Sequence, residues 1–382
     1  MSYGGGGGSG GGSGSTGSAG YGSKSSGDLI APIEYPPLQP TPVGAFRFNT
    51  DSSKLEYYDG NQWVNVTSTS PNQQTGGTRG FMGGGLNNDV TGNFNAIEYY
   101  QIETTGNAID FGDLVTARAT AGTGNSTKTR GLFMGGYIIW GDYTNQIDYI
   151  TISTTGNAAD FGDLTIRTWN AGQGCDNTRA IMCGGRSMTP NVGGDTINTI
   201  QQITVASTGN AIDFGDCTIP MSGCGGQNGN SPTRAVWGSS TSNPVPGTNV
   251  NVMNYVNIAS GGNAGDFGDL PYSNDHGPGG SNAIRGVMKH GKSDTFAMNY
   301  ITIATLGDAI DFGDLQAMKK AMGTAASPTR MTFASGQNNP AYTNAIEYVQ
   351  IMTTGDGTDF GDISGTARRL TTGFSNGHGG LG

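Results

Sequence analysis

One tetrapeptide, Asp-Phe-Gly-Asp, supplies the most regular set of reactive side chains in this chain. Its copies begin at Asp110, Asp160, Asp213, Asp266, Asp311 and Asp359. Clustered carboxylates suit hard cations, so one interpretation is a calcium site. The other is that the aspartates cap turns by accepting backbone N–H bonds and that one of them pairs with an arginine. We favour the second interpretation and expect no metal and no cofactor.

A column of arginines, usually preceded by threonine, accompanies the tetrapeptides. Its members are Arg79, Arg130, Arg179, Arg234, Arg285 and Arg330. The six tetrapeptides contain 12 of the 29 acidic residues, so most of the net charge of −10 belongs to the repeat. This charge therefore does not indicate a cationic partner, and it disfavours nonspecific binding of nucleic acid.

Catalytic groups are scarce. There are three histidines, His276, His290 and His378, and none is placed beside a repeated acid or nucleophile, so general-base and copper chemistry lack parts. The four cysteines lack the CxxC spacing of zinc sites, and we expect buried reduced thiols. We predict that the protein is not an enzyme; a carbohydrate-active or redox enzyme is the alternative.

The elements that carry these residues repeat about every 50 residues. Each unit has an apolar stretch, a variable loop and a strand such as Asn145–Ile152. In that strand Ile147 and Tyr149 point to one face while Ile150 and Ile152 point to the other, so both faces must be covered. Small antiparallel sheets buried between neighbours predict an all-β fold, a six-bladed β-propeller of the kelch period.

The phenylalanine of each tetrapeptide is the predicted wedge between blades. These residues are Phe111, Phe161, Phe214, Phe267, Phe312 and Phe360. The segment 362–376 matches the region after Leu114, so we expect it to pair with the strand near residues 78–85 and close the first blade. A seventh blade built around residues 44–66 is a less favoured alternative, because that segment lacks the repeat signature.

Composition divides the chain into four parts. Residues 1–29 form a Gly/Ser-rich flexible tether, with 13 glycines in residues 1–27, and residues 30–43 form a Pro-rich linker. Residues 44–67 form a β-hairpin module with its turn at Asp59-Gly60, and residues 68–382 form the propeller. No apolar run is long enough to span a bilayer, so no membrane partner is expected.

Variable loops between repeated strands are the candidate ligand-contact surface, since rigid scaffolds commonly bind through divergent loops. Their aromatic residues Tyr137, Trp140, Tyr143 and Tyr342 are suited to stacking on sugar rings. Ordinary loop packing, or contact with a neighbouring subunit, is the alternative that we favour for these side chains.

The repeats resemble the kelch-like propeller units of virion structural proteins from tailed phages, particularly marine ones. The segments that carry the resemblance are Thr129–Gly136 and Asn145–Leu164. The hairpin Phe46–Trp63 resembles a second motif, common in phage tail, fibre and other virion proteins. Trp237, in place of a paired-glycine turn, and Phe296, in the asparagine column, depart from the repeat.

The resemblance implies a structural protein of the virion, a tail, fibre or capsid-decorating appendage assembled in the host cytoplasm and present in multiple copies per particle. We expect other virion proteins to bind residues 1–67 and the propeller to contact the host surface. A lectin-like module that binds a host glycan is the second hypothesis, and the enzyme named above is the third.

Overall fold

A computed structural model describes the chain from residue 40 to residue 381, with several gaps. The described residues divide into two compact units, one within residues 1–70 and one within residues 71–382. The predicted tether and most of the predicted linker lie outside the described residues, which are 40–50, 54–66, 78–87, 92–120, 122–138, 142–189, 192–224, 229–238, 241–242, 248–273, 276–291, 295–338 and 341–381.

The first unit contains a three-stranded antiparallel sheet rather than a hairpin alone. Its strands are β1 (Phe46–Asn49), β2 (Lys54–Tyr58) and β3 (Trp63–Asn65), in the order β1-β2-β3. The predicted turn at Asp59-Gly60 joins β2 to β3, and the Asp59 carboxylate accepts the N–H groups of Asn61 and Gln62 at 2.8 Å.

The second unit consists of short strands, and its described residues form no α-helix. The first half contains β4 (Arg79–Gly83), β5 (Leu86–Asn87), β6 (Gly92–Asn93), β7 (Ala96–Gln101), β8 (Ile109–Asp113), β9 (Gly122–Thr123), β10 (Asn125–Ser126), β11 (Arg130–Ile138), β12 (Asp142–Thr151), β13 (Ala159–Asp163), β14 (Thr168–Trp169), β15 (Gly172–Cys175), β16 (Arg179–Cys183), β17 (Arg186–Thr189), β18 (Val192–Thr196), β19 (Thr199–Thr204) and β20 (Ile212–Asp216).

The second half continues the same pattern and ends in a 3-10 turn. Its elements are β21 (Met221–Ser222), β22 (Gly229–Asn230), β23 (Arg234–Gly238), β24 (Thr241–Ser242), β25 (Thr248–Asn249), β26 (Val252–Asn257), β27 (Gly265–Asp269), β28 (Gly279–Ser281), β29 (Arg285–Lys289), β30 (Ala297–Thr302), β31 (Ile310–Asp314), β32 (Gly323–Ala326), β33 (Arg330–Ala334), β34 (Gln337–Asn338), β35 (Ala341–Tyr342), β36 (Ala345–Gln350), β37 (Thr358–Asp362), β38 (Thr372–Ser375) and the 3-10 turn Gly379–Leu381.

Each tetrapeptide lies in the last strand of its own sheet, and we number these sheets 1 to 6 along the chain. Sheets 2 to 6 have the orders β10-β11-β12-β13, β15-β16-β19-β20, β22-β23-β26-β27, β28-β29-β30-β31 and β32-β33-β36-β37. Sheet 1 has the order β8-β7-β4-β38-β9. The all-β prediction is thus confirmed as a set of small, mainly antiparallel sheets.

Sheet 1 joins the two ends of the second unit. Strand β38 pairs antiparallel with β4, from Thr372 opposite Gly83 to Ser375 opposite Gly80. The pairing that the sequence predicted between the C-terminal segment and residues 78–85 is therefore present.

The core lies between successive sheets, because each sheet has apolar side chains on both faces. Phe161 of sheet 2, for example, packs in one buried cluster with Leu132 and Met134 of its own sheet and with Met182 and Ile203 of sheet 3. All six tetrapeptide phenylalanines are buried. The repeated phenylalanine thus contributes to cores that two neighbouring repeats share.

A repeated set of backbone hydrogen bonds links each sheet to the next. The turn before β13 donates from Gly156 N to Phe111 O and from Ala158 N to Asp113 O, both at 2.8 Å. The same Gly N bond recurs from Gly209 to Phe161, Gly262 to Phe214, Gly307 to Phe267, Gly355 to Phe312 and Gly106 to Phe360. The last bond joins sheet 1 to sheet 6, so this series of contacts returns to its start.

The arginine column makes a second series of the same kind. Arg79 donates from Nη1 to the carbonyl of Ile152 in the next sheet at 2.8 Å, and Arg330 donates to the carbonyl of Ile102 in sheet 1 at 3.3 Å. The predicted pairing of these arginines with tetrapeptide aspartates is wrong, because their partners are main-chain carbonyls. Among the described residues, the tetrapeptide carboxylates accept no turn N–H either. The backbone N–H of Asp113 instead donates to Asn157 Oδ1 of the next repeat at 3.0 Å.

The segment after β38 is buried among the first strands of the sheets. His378 is 5% exposed; its Nδ1 accepts the N–H of Gly380 at 3.1 Å, so its proton lies on Nε2, which faces Ser126 O at 2.9 Å. Burial lowers the pKa of His378 to about 4, because no carboxylate compensates the lost hydration of the charged ring.

This histidine makes stability depend on pH. With a pKa of about 4 in the folded protein and about 6.5 unfolded, His378 binds its proton only in the unfolded chain between those values. Stability is therefore lost as the pH falls, by roughly 2–3 kcal/mol at pH 4.5 relative to neutral pH. His378→Asn keeps an acceptor near Nδ1 and removes the titration.

Urea unfolding at pH 7 and pH 4.5 measures this effect. The pH-dependent loss should be about 2 kcal/mol smaller in His378→Asn than in the natural chain, while the contributions of the other groups cancel in the comparison. Equal losses in the two proteins would contradict the buried neutral histidine.

Candidate ligand-binding surface

The variable connections between the second and third strands of the sheets form one group of loops. Four of them are short hairpins, β5–β6, β17–β18, β24–β25 and β34–β35, and a fifth is the extension of β11 and β12 beyond Gly136. We call these the variable hairpins. They include the described parts of the loops that the sequence singled out.

Five of the six segments that follow the tetrapeptide strands pair with one of these hairpins. Ala119 bridges to Tyr137, Trp169 pairs with Arg186 and Lys320 bridges to Gln337. Backbone N–H to carbonyl bonds then connect one residue of each segment in turn, from Thr120 to Leu370, Ala321, His276, Gly223 and Asn170. We call these six residues the linked turns. They come from all six repeats, one from each.

Most linked turns have a left-handed backbone. The φ angles are 57° at Asn170, 57° at His276, 56° at Ala321 and 55° at Leu370. Such conformations cost about 1–3 kcal/mol each for residues other than glycine and persist only where the surroundings impose them. Their concentration at one place in the fold distinguishes it from the regular sheets.

An aromatic cluster lies beside the linked turns. The ring centroids of Tyr137 and Tyr143 lie 5.6 and 5.8 Å from that of Trp169, and His276 lies 6.1 Å from Trp169. Tyr143 is 7% exposed, whereas the other three are half-buried. Asn170 Nδ2 contacts His276 Nε2 at 3.0 Å, which connects the cluster to the turns.

Polar atoms at this cluster lack partners within the described part of the chain. Trp169 Nε1, Asn170 Oδ1 and Thr120 Oγ1 are buried without a hydrogen bond. Buried polar groups are normally paired, so such a concentration calls for a physical explanation. Aromatic faces with one indole donor and nearby oxygen atoms match the needs of an amphipathic ligand.

The structure separates the aromatic residues that the sequence grouped together. Tyr137 and Tyr143 meet in the cluster, Tyr342 lies on β35 in another hairpin, and Trp140 lies outside the described residues. Sequence reasoning missed Trp169 and His276. Both residues follow a tetrapeptide, in segments where the repeats differ from one another, and that position could have marked them as candidates.

Three buried ion pairs hold the segments that carry the linked turns. The distances are 2.9 Å for Arg118–Asp148, 2.7 Å for Lys319–Glu347 and 3.0 Å for Arg368–Glu98. Burial raises the pKa of Asp148 and lowers the pKa values of Arg118 and Lys319, and in each case the opposite charge counteracts the shift. The pairs therefore depend on both partners.

Neutral residues take the same positions in other repeats. Asn254 stands where Asp148 stands, and Met221 stands where Arg118 stands. Both acceptors bind the backbone of the segment before them: Asp148 accepts Val115 N at 3.2 Å, and Asn254 accepts Thr218 N at 2.8 Å. The segment is thus anchored by a side-chain oxygen that accepts a backbone N–H. That oxygen belongs to a carboxylate where a cation faces it, as Arg118 faces Asp148, and to a neutral amide in the case of Asn254.

Among the described residues no three His, Cys, Asp or Glu side chains form a group that could hold a metal ion. All four cysteines are buried and without disulfides, and burial raises the pKa of the Cys224 thiol to about 12. No helix of the described chain is long and apolar enough to cross a bilayer.

No protein-family model matches the chain, and no curated protein matches it.

Asp148→Asn tests the ion pairs. It leaves the Arg118 charge buried without a counter-ion and should lower the free energy of unfolding by about 3–5 kcal/mol. Adding Arg118→Met reproduces the neutral combination found at the equivalent positions, Met221 and Asn254, and should restore at least half of the loss. Denaturant unfolding of the single and double variants measures both values; a double variant less stable than Asp148→Asn would contradict this account.

Proposed function

We propose that the six sheets are the blades of a six-bladed, kelch-like β-propeller. Two series of inter-sheet bonds support this arrangement, since each links every sheet to the next and sheet 6 to sheet 1. The pairing of β38 with β4 supports closure through the two ends of the repeat region. The β1–β3 sheet belongs to a separate compact unit, so we count no seventh blade.

We further propose that the protein is a structural component of a phage virion, a tail, fibre or capsid-decorating appendage that binds other virion proteins through residues 1–67. One face of the β1–β3 sheet is the observation that carries this proposal. Phe46 is 68% exposed and Phe48 62% exposed, opposite Tyr57 and Leu55 on the same face. Large apolar side chains grouped in this way mark interaction sites.

The opposite face of the sheet satisfies its own polar groups. Arg47 Nε lies 2.7 Å from Glu56 Oε2, and its guanidinium lies 4.2 Å from the Trp63 ring centroid. The Arg47 side chain keeps the pKa of Glu56 below its usual range. The apolar face is therefore the one that we assign to a partner, an apolar surface of another virion protein.

Two changes test this attachment. Deletion of residues 1–43 removes the tether and linker, and Phe46→Ser with Phe48→Ser removes the centre of the apolar face. Each should lower incorporation into purified particles at least about tenfold, which corresponds to about 1.4 kcal/mol of binding free energy. Quantitative mass spectrometry of the particles measures incorporation.

Asn65→Ser in the same sheet is the control and should incorporate normally. Melting curves of the soluble variants check that the second unit stays folded. Normal incorporation of both the deletion and the double variant would overturn the attachment proposal.

Recognition of a host-surface glycan is the second candidate function, and the aromatic cluster favours it. Sugar rings present apolar C–H faces to aromatic side chains and hydroxyls to polar groups. The half-buried Tyr137 and Trp169 offer the rings, while Trp169 Nε1 and Asn170 Oδ1 lack partners among the described residues. The variable hairpins around the cluster would then set the specificity.

A glycan array with the full-length protein tests this function. Trp169→Phe keeps an aromatic ring but removes the donor, and should weaken binding about tenfold, the effect of one lost hydrogen bond. Tyr342→Ala in the separate hairpin is the control and should bind normally. Silence across host-derived glycans, or unchanged binding by Trp169→Phe, would argue against glycan recognition.

A further inference from the structure

Five of the six repeats cover their arginine with a tyrosine ring. The guanidinium carbon lies 4.1 to 5.3 Å from the ring centroid in the pairs Arg79–Tyr99, Arg130–Tyr149, Arg234–Tyr255, Arg285–Tyr300 and Arg330–Tyr348. The same tyrosines meet the tetrapeptide phenylalanines at steep angles. The tyrosine is thus a regular layer between the arginine and the phenylalanine.

Repeat 3 lacks this layer. Gln202 occupies the tyrosine position, opposite Ile181 and Ile212 on the neighbouring strands. No aromatic ring of the described residues covers Arg179. Phe214 is correspondingly 6% exposed, whereas its equivalents are 2–3% exposed.

A surface cavity lies where the ring is missing. Its volume is about 380 Å³, and its lining includes Arg179, Gln202, Ser207, Thr208 and Ile212. The equivalent cavity in repeat 6, where the tyrosine is present, has a volume of about 250 Å³.

The lining of the repeat 6 cavity differs from that of the repeat 3 cavity. It includes Tyr348 and Thr358 but not Arg330. In repeat 3, where the tyrosine is missing, the arginine is thus part of the cavity wall.

The lining restricts what this cavity can bind. Nη1 of Arg179 already donates to Ile258 O at 3.0 Å and Ala259 O at 2.8 Å, which leaves the flat face of the guanidinium uncovered. Gln202 Oε1 is buried without a partner in the described part of the chain. A ring over the guanidinium and a donor for the amide oxygen are therefore the two unmet requirements.

We propose that this cavity binds a tyrosine side chain of a partner protein, which replaces the missing tyrosine of repeat 3. The phenol ring covers Arg179, and its hydroxyl donates to Gln202 Oε1. Ile212 packs against the ring edge, and the hydroxyls of Ser207 and Thr208 border the opening. This interaction surface is independent of the glycan site and of any role in a virion.

N-Acetyl-L-tyrosinamide is the probe, and saturation-transfer NMR on the full-length protein is the measurement. Gln202→Tyr restores the layer found in the other repeats and should reduce the signal at least fivefold. Tyr348→Gln uncovers Arg330 and should increase the signal about twofold; Tyr300→Gln serves if that variant does not fold. N-Acetyl-L-phenylalaninamide, which lacks the hydroxyl, should give a severalfold weaker signal.

Three outcomes would overturn the proposal. The first is the same signal from the natural chain and from Gln202→Tyr, with both folded by their melting curves. The second is no signal from the natural chain. The third is displacement of the probe by sodium acetate at equal concentration, which would make the cavity an anion site instead.

Discussion

The structure depends on how each repeat covers the exposed edge of the one before it. An outer β-strand has unpaired N–H and C=O groups that invite aggregation unless something blocks them. Here the turn of the next repeat supplies the partners, with Gly156 N and Ala158 N bound to the carbonyls of Phe111 and Asp113. Gly112, at φ 151°, completes this contact, since a Cβ on it would collide with the Gly156 carbonyl. The glycine of each tetrapeptide is thus required by two backbones in direct contact.

Equivalent polar positions in different repeats show which side chains can replace one another. Asp148 and Asn254 anchor equivalent segments, and each accepts a backbone N–H whether or not it carries a charge. A buried carboxylate is tolerated only where a cation faces it, because desolvation of an unpaired charge costs more than the anchor provides. The tyrosine position can also change without loss of the strand. Gln202 pairs in the sheet as the tyrosines do, but a cavity lies beside it.

The repeated contacts form the frame of the second unit, and the residues that differ between repeats form its distinctive surfaces. The linked turns hold four non-glycine residues, His276 among them, at left-handed backbone angles, and the neighbouring Tyr137 and Trp169 belong to no repeated motif. A rigid repeated frame can support such strain because many inter-repeat bonds hold it in place. The proposed recognition surfaces, the aromatic cluster and the repeat 3 cavity, both occur where one repeat departs from the others.

The sequence by itself determined the number of repeats, the two central strands of each, the buried phenylalanines and the pairing of the C-terminal segment with β4. These features follow from local periodicity and from side chains that recur at fixed spacing, which can be read without coordinates. Only the tertiary structure decided the partners of the arginines, which bind carbonyls of the next sheet rather than aspartates. It also brought Trp169 of one repeat to His276 of another, 107 positions along the chain. Contacts between repeats depend on which residues meet after the sheets pack, and spacing along the chain carries no information about that meeting.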